Sequence, residues 1–161
     1  MHNSVMTYVK RLVDAHDLSR KSVLDVGGMN VNGTVRVHFC GPFVSTDMRP
    51  GEGVDEVVNA HALLDRFGTD KFDVVVSCEM LEHDDEPWSS MKNMGAVLKP
   101  GGRLIFTTRG IGYAKHDHPS DYYRYTREGG IKLAELAGLC DIEAEDDPEV
   151  SGIFVTGVKP W

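Results

Sequence analysis

The chain has 161 residues, 41% of them apolar, enough for one domain whose core needs neither disulfides nor a structural metal. Its three cysteines, Cys40, Cys78 and Cys140, are scattered without a C-x-x-C pair, which argues against a disulfide framework or thiolate zinc site and fits a reducing compartment. The net charge of −8 comes without a clustered Lys/Arg footprint, so nucleic acid is not the expected partner. From the start of the chain, Val5, Val9, Leu12, Val13 and His16 recur at helical spacing and predict an amphipathic helix over 4–17, capped by Asn3 or Ser4. Ser22 to Val26 reads as a buried strand closed by Gly27-Gly28. Val35 to Phe39 alternates with period two, yet the crossover between parallel strands favours a short helix there. Phe43 to Thr46 is a second strand, ended by Asp47 and the turn Arg49-Pro50-Gly51. Val54 to Val58 suggests a weaker third strand, and His61 to Phe67 a short helix.

Phe72 to Cys78 carries the run Val74-Val75-Val76, as in a central parallel strand covered on both faces. Pro87 suits a helix's first turn, with Trp88, Met91, Met94 and Leu98 as its apolar stripe. Lys99-Pro100-Gly101-Gly102 stops that helix before a fifth strand over 103–108. Residues 110–126 show no periodicity, and loops of that length are often binding loops. A helix at about 127–137 ends at Gly138; Cys140, Ile142 and Ala144 then alternate with acids, and Ile153 to Val158 can return antiparallel beside them. The alternation predicts one α/β domain over 1–161: a doubly wound, mostly parallel sheet with an antiparallel strand at its C-terminal end.

In such a sheet, ligands bind beyond the carboxyl ends of the strands where strand order reverses. Three strands end there in Gly27-Gly28, Asp47 and Cys78-Glu79. Glycines let a ligand approach the backbone, and an acid ending the second strand can accept both hydroxyls of a ribose. The pattern points to a nucleoside. The dinucleotide fingerprint G-x-G-x-x-G is absent, since the turn reads Gly27-Gly28-Met29-Asn30-Val31-Asn32-Gly33, so a nicotinamide-dependent oxidoreductase or epimerase is the lesser reading.

The segments Val23-Leu-Asp-Val-Gly27, Ser45-Thr-Asp47, Phe72-Asp-Val-Val-Val-Ser-Cys-Glu-Met-Leu-Glu-His83 and Leu98-Lys-Pro-Gly-Gly-Arg-Leu-Ile-Phe106 resemble, in order and spacing, the motifs of class I S-adenosylmethionine-dependent methyltransferases. The small, single-domain type 11 members are the nearest match. The resemblance implies a Rossmann-like fold and S-adenosyl-L-methionine as cofactor. It implies Asp25, Gly27 and Gly28 around the methionine portion, Asp47 on the ribose, Met48 on the adenine, Asn59, Ala60 and His61 at the adenine rim, and Cys78 and Glu79 near the sulfonium. Met29 and Val31 replace two glycines of the family's turn; Asn30, Asn32 and Gly33 are expected to supply its left-handed backbone angles instead.

The implied reaction moves a methyl group to an unidentified small-molecule acceptor. The alternative is a cofactor-binding sensor or partner subunit that transfers nothing. An alcohol or amine acceptor needs a base, for which His83 and His118 are the candidates, with His116 in the same loop. His116-x-His118 with Asp121 is a slight metal pattern, and no metal ligand is assigned. Tyr122, Tyr123 and Tyr125 either stack on an acceptor or anchor the loop. The acid runs at 82–86 and 141–149 read as solvated faces. Without a signal-like start or an 18-residue apolar run, the chain is expected to be cytoplasmic with no membrane partner.

Overall fold

The computed structural model describes residues 2–161. Helix α1 (Asn3–Ala15) precedes β1 (Val23–Val26), β2 (Phe43–Asp47), β3 (Glu56–Val57) and α2 (Leu63–Phe67). Then follow β4 (Phe72–Cys78), α3 (Pro87–Val97), β5 (Leu98–Arg109), α4 (Arg127–Leu136), β6 (Cys140–Asp146) and β7 (Gly152–Val158). The strands form one seven-stranded sheet in the order β3-β2-β1-β4-β5-β7-β6. β3, β2, β1, β4 and β5 are parallel, and β7 runs antiparallel to both β5 and β6. This is the doubly wound, Rossmann-like arrangement that the alternating pattern implied.

Period-two alternation divides the strand residues between two cores. Val23, Val74, Val76, Ile105 and Phe154 face α1, whose Val5, Tyr8, Val9, Leu12 and Val13 are buried against them. Leu24, Val26, Val75, Leu104, Phe106, Ile153 and Val155 face the other side, where they meet Leu63 of α2, Met91 and Met94 of α3 and Leu133 of α4. Tyr8 stacks on Phe154 with ring centroids 4.6 Å apart. Among the described residues, no helix is long and apolar enough to cross a membrane.

Several boundaries differ from the sequence expectation. Helix α1 begins at Asn3 with His2 as its cap, and no side chain bonds the cap. The crossover segment forms a four-residue 3-10 turn, Val35–His38, started by Thr34, whose hydroxyl accepts from the Arg36 N–H, and anchored by buried Val35. Only Glu56–Val57 of the third strand pairs with its neighbour. Ala60–Ala62 is a 3-10 turn leading into α2. β5 starts already at Leu98, because the Pro-Gly-Gly segment is absorbed as an irregularity between the Phe72–Leu98 and Val74–Arg103 pairings. Trp88 leaves the α3 stripe, 46% exposed, with its ring set edge-on to Tyr123.

Candidate active site

The chain order turns back between β1 and β4, so their carboxyl ends diverge and leave a crevice. A cavity of about 380 Å³ opens there, a size suited to a small ligand. Asp25, Gly27, Gly28, Asp47, Met48, Asn59, Ala60, His61, Cys78, Glu79, His83 and His118 all contribute to its wall. The fold therefore brings together every site residue proposed from the sequence.

The floor is made by the turn after β1. The N–H groups of Gly27 and Gly28 both donate to the Thr46 carbonyl at 2.9 Å, tying the turn to β2. Gly27 adopts φ +74°, which glycine tolerates without cost. A Cβ on Gly28 would lie 2.2 Å from Ser45 Oγ and 2.4 Å from Asp25 Oδ2, so only glycine fits over that carboxylate. Ser45 Oγ is buried without a hydrogen-bond partner. Burial pushes the Asp25 carboxyl up to about 7, with Arg36 opposing the shift and Asp47 and Asp55 adding to it.

Asn30 and Asn32 do not adopt the left-handed backbone expected of them; Gly33, at φ +129°, does. Asn30 instead works through hydrogen bonds: its Oδ1 accepts from the Gly33 N–H at 2.9 Å, and its Nδ2 donates to Glu52 Oε1 at 2.7 Å. Its own N–H donates to the Glu52 carbonyl at 2.8 Å, which closes the turn against the segment after β2.

Asp47 ends β2 and orders the next turn by accepting from the Arg49 N–H at 3.1 Å. Met48 is 56% exposed beside it. Asn59 Oδ1 is occupied in accepting from the His61 N–H, so its amide end remains for contact. His61 Nε2 lies 2.7 Å from Asp84 Oδ1. Cys78 is buried, and that burial raises its thiol well above the ordinary range, so it stays neutral. Glu79 sits at φ +58°, a backbone state that non-glycine residues rarely hold. Its carboxylate accepts from Thr107 Oγ1 at 2.7 Å and pairs with buried Arg109, which also reaches Asp147 at 3.4 Å.

The acid runs are not uniformly solvated faces. Glu82 and Asp84 are buried in the first run, and Asp147 in the second. Asp84 takes the Glu86 N–H and the Ser90 hydroxyl at the start of α3, while Asp147 meets Arg109. Burial pushes the Glu82 carboxyl upward, opposed by hydrogen bonds, including one from Thr108, and by His83 and His116.

The segment 110–126 is fastened across the 3-10 turn Leu81–His83. The N–H groups of Tyr122 and Tyr123 donate to the Glu82 carbonyl at 2.7 and 3.2 Å. The Tyr125 hydroxyl donates to the Leu81 carbonyl and the Tyr123 hydroxyl to that of Asp85. Two of the three tyrosines are thus anchors, and Tyr122, 53% exposed, faces the cavity. Arg124 clamps Asp121 with both terminal nitrogens and reaches the Tyr113 and Ala114 carbonyls. That clamp holds the Asp121 carboxyl far below the usual carboxylate range. His83 Nδ1 donates to the Ser120 carbonyl at 2.5 Å. The His83 ring stands 4.7 Å from that of His116 and 6.3 Å from that of His118, centroid to centroid.

Sequence reasoning missed Glu82 and Arg109. The first was hidden in a charged run, and Arg109 closes a strand whose partners lie 30 and 38 residues away.

This crevice, with a glycine floor and an acid at the end of β2, lies where open α/β enzyme domains bind their ligands. A family model described as a methyltransferase domain matches residues 1–140, and the chain belongs to that family. The family's methyl donor is S-adenosylmethionine. A ubiquinone biosynthesis O-methyltransferase of Coxiella burnetii is 29% identical, with 43% of this chain and 40% of that protein covered. One from Nitrosococcus oceani is 35% identical, with 42% and 39% covered. The chain thus spans less than half the length of these curated relatives. Among solved structures, the Burkholderia thailandensis 1,6-didemethyltoxoflavin-N1-methyltransferase, with its namesake compound and S-adenosylhomocysteine bound, superposes with a TM-score of 0.75. It is 17% identical, with 98% of this chain and 79% of that one covered. A Thermotoga maritima SAM-dependent methyltransferase gives 0.72 at 16% identity, with 97% and 87% covered.

Proposed function

We propose that this protein transfers a methyl group from S-adenosylmethionine to a small-molecule acceptor. The observation that carries this is the crevice itself: the Gly27-Gly28 floor over Asp25, with Asp47 opposite at the end of β2 and the histidines 83, 116 and 118 across the cavity. The residues present fit the cofactor. Asp25, with unpartnered Ser45 Oγ beneath Gly28, supplies an acceptor-rich floor for a methionine ammonium, and Asp47 supplies two oxygens for a ribose diol. Met48, Asn59, Ala60 and His61, on the cavity wall, would meet the adenine, and Cys78 and Glu79 would line the sulfonium region.

When bound, S-adenosylmethionine supplies an electrophilic methyl group on a positively charged sulfur. The chain's own work is alignment and proton handling. Glu79, held by Thr107 and Arg109, fixes a negative charge at the end of β4. Asp84 and His61 brace the adenine side against α3. An acceptor hydroxyl or amine loses its proton as the methyl arrives, and His118, exposed on the cavity rim, is assigned to take it. His83 stands beside it with Nδ1 committed to Ser120 and Nε2 free. The test is to incubate the protein with methyl-labelled S-adenosylmethionine and a panel of phenols, amines and heterocycles. Labelled product that disappears in Asp47→Ala supports the reading; cofactor binding with no transfer to any acceptor class favours a sensor or partner subunit.

A further inference from the structure

The geometry points to a binding site for a divalent first-row transition-metal ion, built by buried Glu82 together with His83 and His116, which line the cavity. The Glu82 side chain is 0% exposed. Its Oε2 accepts from the Thr108 hydroxyl at 2.8 Å, whereas its Oε1 is buried with no hydrogen-bond partner. A buried, unmatched carboxylate oxygen is costly unless something else satisfies it. His83 Nε2 and His116 Nε2 each lie 3.9 Å from that oxygen. Neither can hydrogen-bond to it at that distance.

The far ring nitrogens of both histidines are already engaged. His83 Nδ1 faces the Ser120 carbonyl at 2.5 Å, and His116 Nδ1 faces the Ala114 carbonyl at 3.3 Å with Asp121 Oδ2 at 3.5 Å. A carbonyl only accepts, so both Nδ1 atoms are committed as donors, and both Nε2 atoms are turned toward Glu82. One carboxylate oxygen and two imidazole nitrogens, all within 4.8 Å of one another, then converge without a hydrogen bond among them. A cation satisfies all three. Tetrahedral ligands on bonds of about 2.1 Å stand about 3.4 Å apart, so the two 3.9 Å nitrogen–oxygen separations need a contraction of about 0.5 Å each, and the two nitrogens, within 4.8 Å of each other, close by up to about 1.4 Å.

The outer contacts match those that orient metal-binding imidazoles, a backbone carbonyl or carboxylate on the far ring nitrogen. Two imidazoles with one carboxylate favour ions from Mn2+ to Zn2+ over Mg2+ or Ca2+. The fold does not build the His116, His118 and Asp121 trio considered from sequence, because Arg124 occupies Asp121. Since His83 and His116 line the cavity, an ion held there could take an oxygen of the acceptor as a further ligand, which would make a bound hydroxyl more acidic. This last step rests on the methyl-transfer reading; the ion site does not.

The test is calorimetric titration of chelator-treated protein with Mn2+, Co2+ and Zn2+, together with the visible spectrum of the Co2+ form. One ion should bind per chain, and Co2+ should give d–d bands of a nitrogen- and oxygen-ligated ion. His116→Ala, on the exposed segment and least able to disturb folding, should weaken binding by about 100-fold or more, as should Glu82→Gln and His83→Ala. His61→Ala, which dismantles the separate His61, Asp84 and Asp85 group, should leave the affinity unchanged. No binding below about 100 µM, or binding that survives His116→Ala and Glu82→Gln, would overturn the site. S-adenosylhomocysteine titrated into the metal-free protein reads the cofactor assignment separately, so the two can fail independently.

Discussion

Replacing Asp25 by Asn should make the protein more stable at neutral pH than at acid pH relative to the wild type. The Asp25 carboxyl lies under Gly28, and burial lifts its folded-state value from 3.8 to about 7. Between these values the folded chain holds the proton more tightly than the unfolded chain. The stabilisation is therefore complete below about pH 4 and is lost as pH rises toward 7. Three units at about 1.4 kcal/mol each give a loss of about 4 kcal/mol. Other carboxylates titrate in the opposite sense: against its burial, hydrogen bonds from Ser22 and the ion pair with Lys99 hold Asp73 down at about 2. The difference between the wild type and Asp25→Asn cancels those groups and isolates Asp25. Urea unfolding of both proteins from pH 4 to pH 8 measures it. A wild-type-minus-variant stability that stays level across that range would refute the buried, proton-holding Asp25. A bound ligand with a positive charge beside Asp25 would favour its ionised form, so S-adenosylmethionine should bind with proton release in the wild type and without that release in Asp25→Asn.

Asp47→Ala should weaken S-adenosylhomocysteine binding by about 1.5–3 kcal/mol with the melting temperature of the free protein nearly unchanged, as calorimetry and thermal unfolding would show. Gly28→Ala should abolish cofactor binding at concentrations that saturate the wild type, since its Cβ would meet Asp25 Oδ2 at 2.4 Å; wild-type affinity in that variant would move the floor elsewhere. His118→Ala should lower turnover by about 10²–10⁴-fold with cofactor affinity intact, once a deprotonated acceptor is in hand. Met94→Ala, at a fully buried α3 position against the sheet, should cost about 2–5 kcal/mol of unfolding free energy and leave ligand affinity per folded molecule unaltered.

The sheet was readable because its signals are local. Val74-Val75-Val76, the Gly27-Gly28 turn and Asp47 each announce a strand or its end within a few residues. β6 and β7 were readable for the same reason, by alternation. What escaped depends on distance or on burial against the residue type. Glu82 lies among acids that read as solvated, yet the 3-10 turn Leu81–His83 carries it inward beside Thr108, 26 residues away. The signal available was a Glu-His pair separated by three residues from the end of a buried strand. Arg109 with Glu79 and Asp147 joins three separate elements, and no window of sequence contains them. The turn after β1 was expected to solve its geometry with asparagine backbones; it does so with Asn30 side-chain bonds and Gly33, because Glu52 comes within reach from the next crossover.

Calorimetric titration of the purified protein with S-adenosylhomocysteine, with a nicotinamide dinucleotide as the comparison, tests the central claim most directly. One site per chain should bind S-adenosylhomocysteine and, at 100 times its dissociation constant, raise the unfolding free energy by about 2.7 kcal/mol, with both effects diminished in Asp47→Ala. Tight dinucleotide binding with none for S-adenosylhomocysteine would contradict it.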